Sequence, residues 1–266
     1  MRPFYFGTSS RPLFGVYHPP ATPPGPRGGV LLCYPFGREY LRAHRAVREL
    51  ANELGREGFH GLRFDYYGCG DSGGEGVDGS IVEWVANVSD ALEELEEASL
   101  RSDLSAVGLR LGAALAFLAA SSGRARPFRR LVLWDPIVSG SRYLEELDSL
   151  QEEWSRAHPA VASKAPADGA EENLGFPLTP ALRDTITGID LRKIEKVPAE
   201  SVLVMTSKED ADADELAETL GRRGARVTRE SISGAKFWLR QEGIDHAVVP
   251  TETVRSIASW FANGAR

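Results

Sequence analysis

Cysteine is scarce. Cys33 and Cys69 are the two in 266 residues, too few for a disulfide framework and not spaced as a Cys-x-x-Cys pair. A reduced, cytoplasmic compartment is the expectation. Long apolar runs are missing as well. The most apolar window, 106–120, carries Arg110 and is shorter than a membrane-spanning helix requires. The opening Met1-Arg2-Pro3-Phe4-Tyr5-Phe6-Gly7 breaks too early for the apolar stretch of a signal peptide, so a soluble protein is expected. Nor is there a basic excess: 31 Lys+Arg stand against 38 Asp+Glu, a formal charge of −7, which argues against a nucleic-acid partner. No His/Cys/carboxylate spacing reads as a zinc site, and neither a metal nor a cofactor is expected. Internal repeats and low-complexity tracts are absent too.

What is present is an ordinary globular composition, 42% hydrophobic and 26% charged, in a chain long enough to bury a core without staples. Residues 3–8 and 12–18 read as a hairpin of strands. Residues 19–26 hold five of the 16 prolines and form an irregular connection. From there strand and helix patterns alternate. The apolar runs 29–34 and 131–134 and the segments 61–66 and 104–108 predict strands, and helical spacing predicts helices over 41–54, 81–97 and 111–120. The last of these has almost no polar face and should be buried. Such alternation predicts a mostly parallel twisted sheet of about eight strands with helices on both faces. It stops between 137 and 198, where an amphipathic helix over 143–156, a polar loop over 164–173 and a helix over 180–194 interrupted at Gly188 are expected. Strand 201–206, helix 213–223, strand 226–232 and helix 252–262 complete the chain. The expected organisation is a core of 1–136 and 199–266 with a helical cap of 137–198 inserted after the sixth strand.

This order resembles the α/β-hydrolase fold. Gly61-Leu62-Arg63-Phe64-Asp65-Tyr66-Tyr67-Gly68-Cys69-Gly70-Asp71-Ser72 is similar to the strand-and-turn block of the serine aminopeptidase S33 and monoglyceride lipase-like branch. Gly108-Leu109-Arg110-Leu111-Gly112 stands where that branch has its nucleophile elbow, and His246 where it has its catalytic histidine. Leu133-Trp134-Asp135-Pro136, Tyr143-Leu144-Glu145-Glu146-Leu147 and Gly175-Phe176-Pro177-Leu178-Thr179-Pro180 resemble hydrolase-like proteins associated with the exosortase A system.

The resemblance implies a general base at His246, oriented by Asp210, with Asp135 as the alternative acid and Asp212 as a weaker one. It also implies an oxyanion hole built from the backbone N–H groups of Phe36 and Leu111. Tyr34 stands where many relatives have histidine. The departure lies at the nucleophile position, which is Arg110. A guanidinium stays protonated and has no lone pair to give, so it cannot form an acyl-enzyme. Ser105 lies inside a strand and Ser121 at the far end of a helix, so neither replaces the serine. Cys69 is read as a packing residue of a tight turn, Ser72 as a local backbone partner, and Cys33 as a buried strand residue. The formal Gly68-x-Gly70-x-x-Gly73 match follows the fourth strand and is a chance dinucleotide pattern.

Three functions fit these residues. One is a hydrolase acting on an ester, thioester or other acyl substrate without an elbow serine, with His246 activating water. A second is a pseudo-hydrolase that binds an anionic ligand or serves as an accessory module. The third is a lyase or isomerase with His246 as base. In each case the partner is a small molecule. The elbow sets Arg110 at the positive end of the 111–120 helix, where a desolvated cation needs an anion. An ion pair with Asp210 or Asp135 is expected, or else a bound carboxylate or phosphate.

Overall fold

The computed structural model describes residues 1–21, 27–159, 171–194, 196–233, 236–239 and 249–264. Strands β1 (Arg2–Thr8) and β2 (Arg11–His18) form the expected antiparallel hairpin. Behind it run β3 (Gly28–Cys33), β4 (Phe59–Phe64), β5 (Leu104–Leu109), β6 (Phe128–Trp134), β9 (Ala199–Thr206) and β10 (Arg226–Ser231). The sheet has eight strands in the order β1-β2-β4-β3-β5-β6-β9-β10, and every pairing from β4 onward is parallel. β3, β4 and β5 are buried along their whole length, as strands between two helical layers must be.

The helices are α1 (Gly37–Arg56), α2 (Ile81–Ser99), α3 (Leu111–Ser121), α4 (Gly140–Ala157), α5 (Pro180–Thr187), α6 (Ala211–Arg222) and α7 (Thr251–Asn263). Two glycines show which face each layer covers. Gly29 looks onto Leu95 of α2, whereas its chain neighbour Val30 pairs with Gly61, which looks onto Ala51 of α1. Neighbours along a strand point to opposite faces, so α1 and α2 lie on opposite sides. α1 packs with α7, and α2 with α3. α3 carries Leu111, Ala113, Ala114, Leu115, Ala116 and Phe117 in the core, which accounts for its lack of a polar face.

The segment between β6 and β9 departs in detail from the sequence pattern. α4 starts earlier than expected because Ser139 caps it, accepting from the Arg142 N–H. The helix expected over 180–194 breaks at Gly188; a separate 3-10 turn follows at Leu191–Lys193. Glu172–Asn173 (β7) and Phe176–Pro177 (β8) pair as a short ribbon where a loop was expected. Among the described residues no helix is long and apolar enough to cross a membrane.

One buried cluster in this core makes the fold acid-sensitive. Arg63 of β4 donates from Nε to Nε2 of His18 (3.0 Å) and from one terminal nitrogen to the Tyr34 hydroxyl (3.0 Å). Burial, reinforced by the Arg63 charge, pushes His18 down to about 4. Below the unfolded value near 6.5 the unfolded chain takes up a proton that the folded His18 refuses until about pH 4. Stability is therefore full above pH 6.5 and is lost as pH falls through this window. Urea midpoints are expected to report a loss of about 2–3 kcal/mol from this site between pH 7 and pH 4.5. A His18→Gln variant, which keeps an acceptor for Arg63 but does not titrate, should show a correspondingly flatter profile. An unchanged profile would refute the assignment.

Candidate functional site

The loops at the C-terminal ends of the parallel strands meet at residue 110, the usual place for a site in an open α/β sheet. β5 turns sharply into α3 there. Arg110 has φ +53° and ψ −120°, a conformation that side-chain-bearing residues rarely adopt and that costs on the order of 1–3 kcal/mol. The flanking glycines make the turn possible. A β-carbon on Gly112 would overlap the carbonyl oxygens of Cys33 and Tyr34, and one on Gly108 would overlap the Ala113 backbone. The elbow is thereby pressed against the loop after β3. Phe36 caps α1 and Leu111 opens α3, so both expected oxyanion amides stand at helix starts, where N–H groups lack an intrahelical acceptor.

Arg110 is 7% exposed, and its charge is matched from two directions. Its Nε donates to Oε1 of Glu39 (2.9 Å), and a terminal nitrogen donates to Oε2 of Glu146 (2.5 Å). The other Glu39 oxygen accepts from the Tyr143 hydroxyl (3.1 Å), and Lys236 reaches the other Glu146 oxygen (3.2 Å). The guanidinium lies over the rings of Tyr143 (5.5 Å) and Trp238 (5.6 Å), where cation–π attraction adds to the pairing. Burial pushes the Glu39 carboxyl upward against the pull of Arg110. Glu146 is held below the ordinary range, because Arg110 and Lys236 together outweigh its desolvation. For Arg110 burial works against the charge, but the two glutamates prevail and its pKa is raised. One residue thus ties together α1, the elbow, α4 and the segment after β10.

The expected aspartate partners are corrected here. Arg110 pairs with Glu39 and Glu146 rather than with Asp210 or Asp135. Asp210 lines the same cleft as Arg110, a space of about 350 Å³ bordered also by Ile137, Arg142, Glu145 and Lys208. Its carboxylate, however, caps α6, accepting from the Asp212 and Ala213 N–H groups. Asp212 is held by Arg142 and Arg192. Asp135 is more distinctive. It has φ +41° and is 8% exposed; its Oδ1 accepts from both the backbone N–H (2.8 Å) and the hydroxyl (2.9 Å) of Ser207. Its Oδ2 is buried with no hydrogen-bond partner among the described residues, and burial raises its pKa. His246 and its neighbour Asp245 lie outside the described residues.

The remaining candidates behave as packing and turn residues. Burial pushes the thiols of Cys33 and Cys69 each up to about 12, so neither is a ready thiolate. The Ser72 hydroxyl donates to the Asp65 carbonyl and accepts from the Phe14 N–H, fastening the turn to β2. Glu39, Glu146 and Lys236 were not singled out from the sequence. For Glu146 a signal existed. Tyr143, Glu146, Leu147 and Leu150 recur at helical spacing, which puts a carboxylate on the apolar stripe of α4. Glu39 gave none, because α1 was expected to begin only at residue 41.

A second, separate cavity of about 210 Å³ adjoins the elbow through Leu111 and Leu115. It is lined by the loop after β3, the start of α1, the turn after β4, the start of α2, and β8.

Comparison with known proteins agrees with this geometry. The family model for serine aminopeptidases of type S33 matches residues 26–176. Among solved structures, the chain is similar to Est1E from Butyrivibrio proteoclasticus with ferulic acid bound (TM-score 0.68, 14% identity, 98% of each chain covered). It is also similar to mouse alpha/beta hydrolase domain-containing protein 10 (0.61, 15%, 99% of each). A third likeness is to proline iminopeptidase from Mycobacterium smegmatis (0.61, 13%, 99% of this chain and 98% of that one). At these identities the likeness is one of fold, and the fold is that of the α/β hydrolases. No curated protein matches the chain significantly.

Proposed function

From the premise that this chain belongs to the serine aminopeptidase S33 family, we propose that it is a hydrolase-fold protein that binds a small molecule and forms no acyl-enzyme. The observation that carries this reading is the buried pairing of Arg110 with Glu39 and Glu146 at the elbow. An acyl-transfer site needs a nucleophile at the tip of that turn with a free path to the oxyanion amides. Here the tip holds a group with no lone pair, anchored by two carboxylates. The cluster of Arg110, Lys236, Glu39 and Glu146 is formally neutral. An anionic ligand would have to displace a buried carboxylate from Arg110, so this reading favours an uncharged ligand over the anionic one expected from the sequence.

In this reading residues 137–198 are a cap, with α4 supplying Tyr143 and Glu146 to lock the elbow from above. The free thiols of Cys33 and Cys69 fit a cytoplasmic location.

A fluorophosphonate probe is expected to label no residue of the intact protein, and short p-nitrophenyl esters are expected to turn over no faster than in buffer. Covalent labelling would overturn the proposal. The buried Oδ2 of Asp135, which has no partner among the described residues, favours one second reading, in which Asp135 orients His246 to activate water directly. Ester turnover without probe labelling, abolished by both His246→Ala and Asp135→Asn, would establish that reading instead.

A further inference from the structure

The cavity beside Leu111 allows the ligand class to be named. We propose that it holds an uncharged molecule carrying one aromatic ring. The proposal deepens the non-covalent reading above and rests on it.

The walls are the first argument. Tyr34, Phe36, Tyr40, Tyr66, Trp84 and Phe176 all line the cavity. They brace one another at tilted or edge-on angles: Tyr34 and Tyr40 are 5.0 Å apart at 67°, Phe36 and Trp84 5.5 Å apart at 38°, and Tyr66 and Trp84 5.7 Å apart at 35°. Rings set this way present both faces and edges, the geometry in which another ring gains more than an alkyl group of equal area.

The polar atoms are the second argument. The Tyr34 hydroxyl accepts from Arg63 (3.0 Å), and the Tyr40 hydroxyl donates to Asp65 (2.9 Å). The Tyr66 hydroxyl donates to the Tyr34 carbonyl (3.2 Å), and Trp84 Nε1 donates to the Tyr67 carbonyl (3.0 Å). Each ring substituent that might have received a charged ligand already has a protein partner. No charged residue stands among the described residues lining the space, and Cys69, which does line it, is a neutral thiol. A carboxylate or ammonium entering here would be desolvated with no oppositely charged side chain among the described lining residues to compensate it.

Size is the third argument. A dry apolar cavity of roughly 150 Å³ accepts benzene. A space of about 210 Å³ therefore takes one ring with a short substituent. For that substituent the backbone N–H groups of Phe36 and Leu111, both residues of the lining, would suit a carbonyl oxygen.

Three probes of similar size test this by calorimetry on the full chain: acetophenone, benzoate and cyclohexyl methyl ketone. Acetophenone is expected to bind at least tenfold more tightly than either of the others. Leu115→Phe, which fills the cavity, should weaken acetophenone at least tenfold. If circular dichroism shows that variant unfolded, Leu41→Trp serves in its place, because Leu41 is 58% exposed at the cavity rim. Equal or tighter binding of benzoate, affinity unmoved by the folded variant, or no binding of acetophenone would overturn the proposal. The probe-labelling result separates the two levels. Failure of acetophenone without fluorophosphonate labelling removes the ligand class alone, whereas labelling removes the parent reading.

Discussion

Replacing Arg110 by Ser is expected to destabilise the protein by about 3–5 kcal/mol, because it leaves a buried carboxylate without its cation. Glu146 keeps Lys236, but Glu39 is 3% exposed and would retain only the Tyr143 hydroxyl. Its carboxyl, already pushed up by burial, would rise further once Arg110 no longer opposes that effect. The sign of the pH dependence follows. A carboxyl whose folded pKa lies above its unfolded one costs stability as pH rises past the unfolded value, so the deficit of the variant should be smaller at pH 4.5 than at pH 8. Adding Glu39→Gln removes the stranded charge and should restore most of the loss. Urea denaturation of wild type, single and double variants at both pH values checks this. A single variant as stable as wild type would mean that the network contributes nothing. The double variant is also the form in which a hydroxyl stands at the elbow. Fluorophosphonate labelling of that form, and not of wild type, is the result expected if the rest of the old triad is in place.

A change of one methyl group at Gly112 should cost more than almost any core truncation. The added β-carbon would meet two backbone carbonyls, those of Cys33 and Tyr34, and backbone moves far less readily than the end of a side chain. Gly112→Ala is expected to cost about 4 kcal/mol, above the roughly 1–3 kcal/mol typical of overpacking, because both groups it meets are backbone. The control is Gly221→Ala. Gly221 lies within α6 and has nothing within 4 Å of where its β-carbon would sit, so alanine there should stabilise by roughly 0.5–1 kcal/mol. Melting temperatures of the two variants should move in opposite directions. A tolerated Gly112→Ala would show that the elbow does not seat against the loop after β3 as described.

Much of the architecture was legible in local patterns. The largely apolar β3 and β5 and the apolar end of β6 at 131–134 are buried because both their faces are covered, and the even apolarity of Leu111–Ser121 announced a buried helix. The elbow was legible through Gly108 and Gly112, since steric exclusion acts within a few residues and leaves its mark in sequence. The same holds for the guanidinium that stands at the elbow tip, which is a property of the Arg110 side chain itself. That Arg110 would require an anion was also legible, because a desolvated guanidinium at a helix N-terminus has no other stable arrangement.

Which anion it would find was not. Glu39 is 71 residues away along the chain and Glu146 is 36, and nothing local distinguishes them from the many other carboxylates. Asp210 seemed the natural partner by position, yet the same short side chain also suits a helix cap, and the N–H groups of α6 claimed it. The aromatic cavity is likewise assembled from the loop after β3, α1, the turn after β4, α2, α3 and β8, each contributing a few residues. By itself the sequence determined the sheet, the strained turn and the guanidinium at its tip, because those follow from sterics and side-chain type at short range. Only the tertiary structure decided the partners of Arg110 and the shape of the cavity beside it, because pairing and enclosure depend on which distant surfaces the fold brings within a few ångströms.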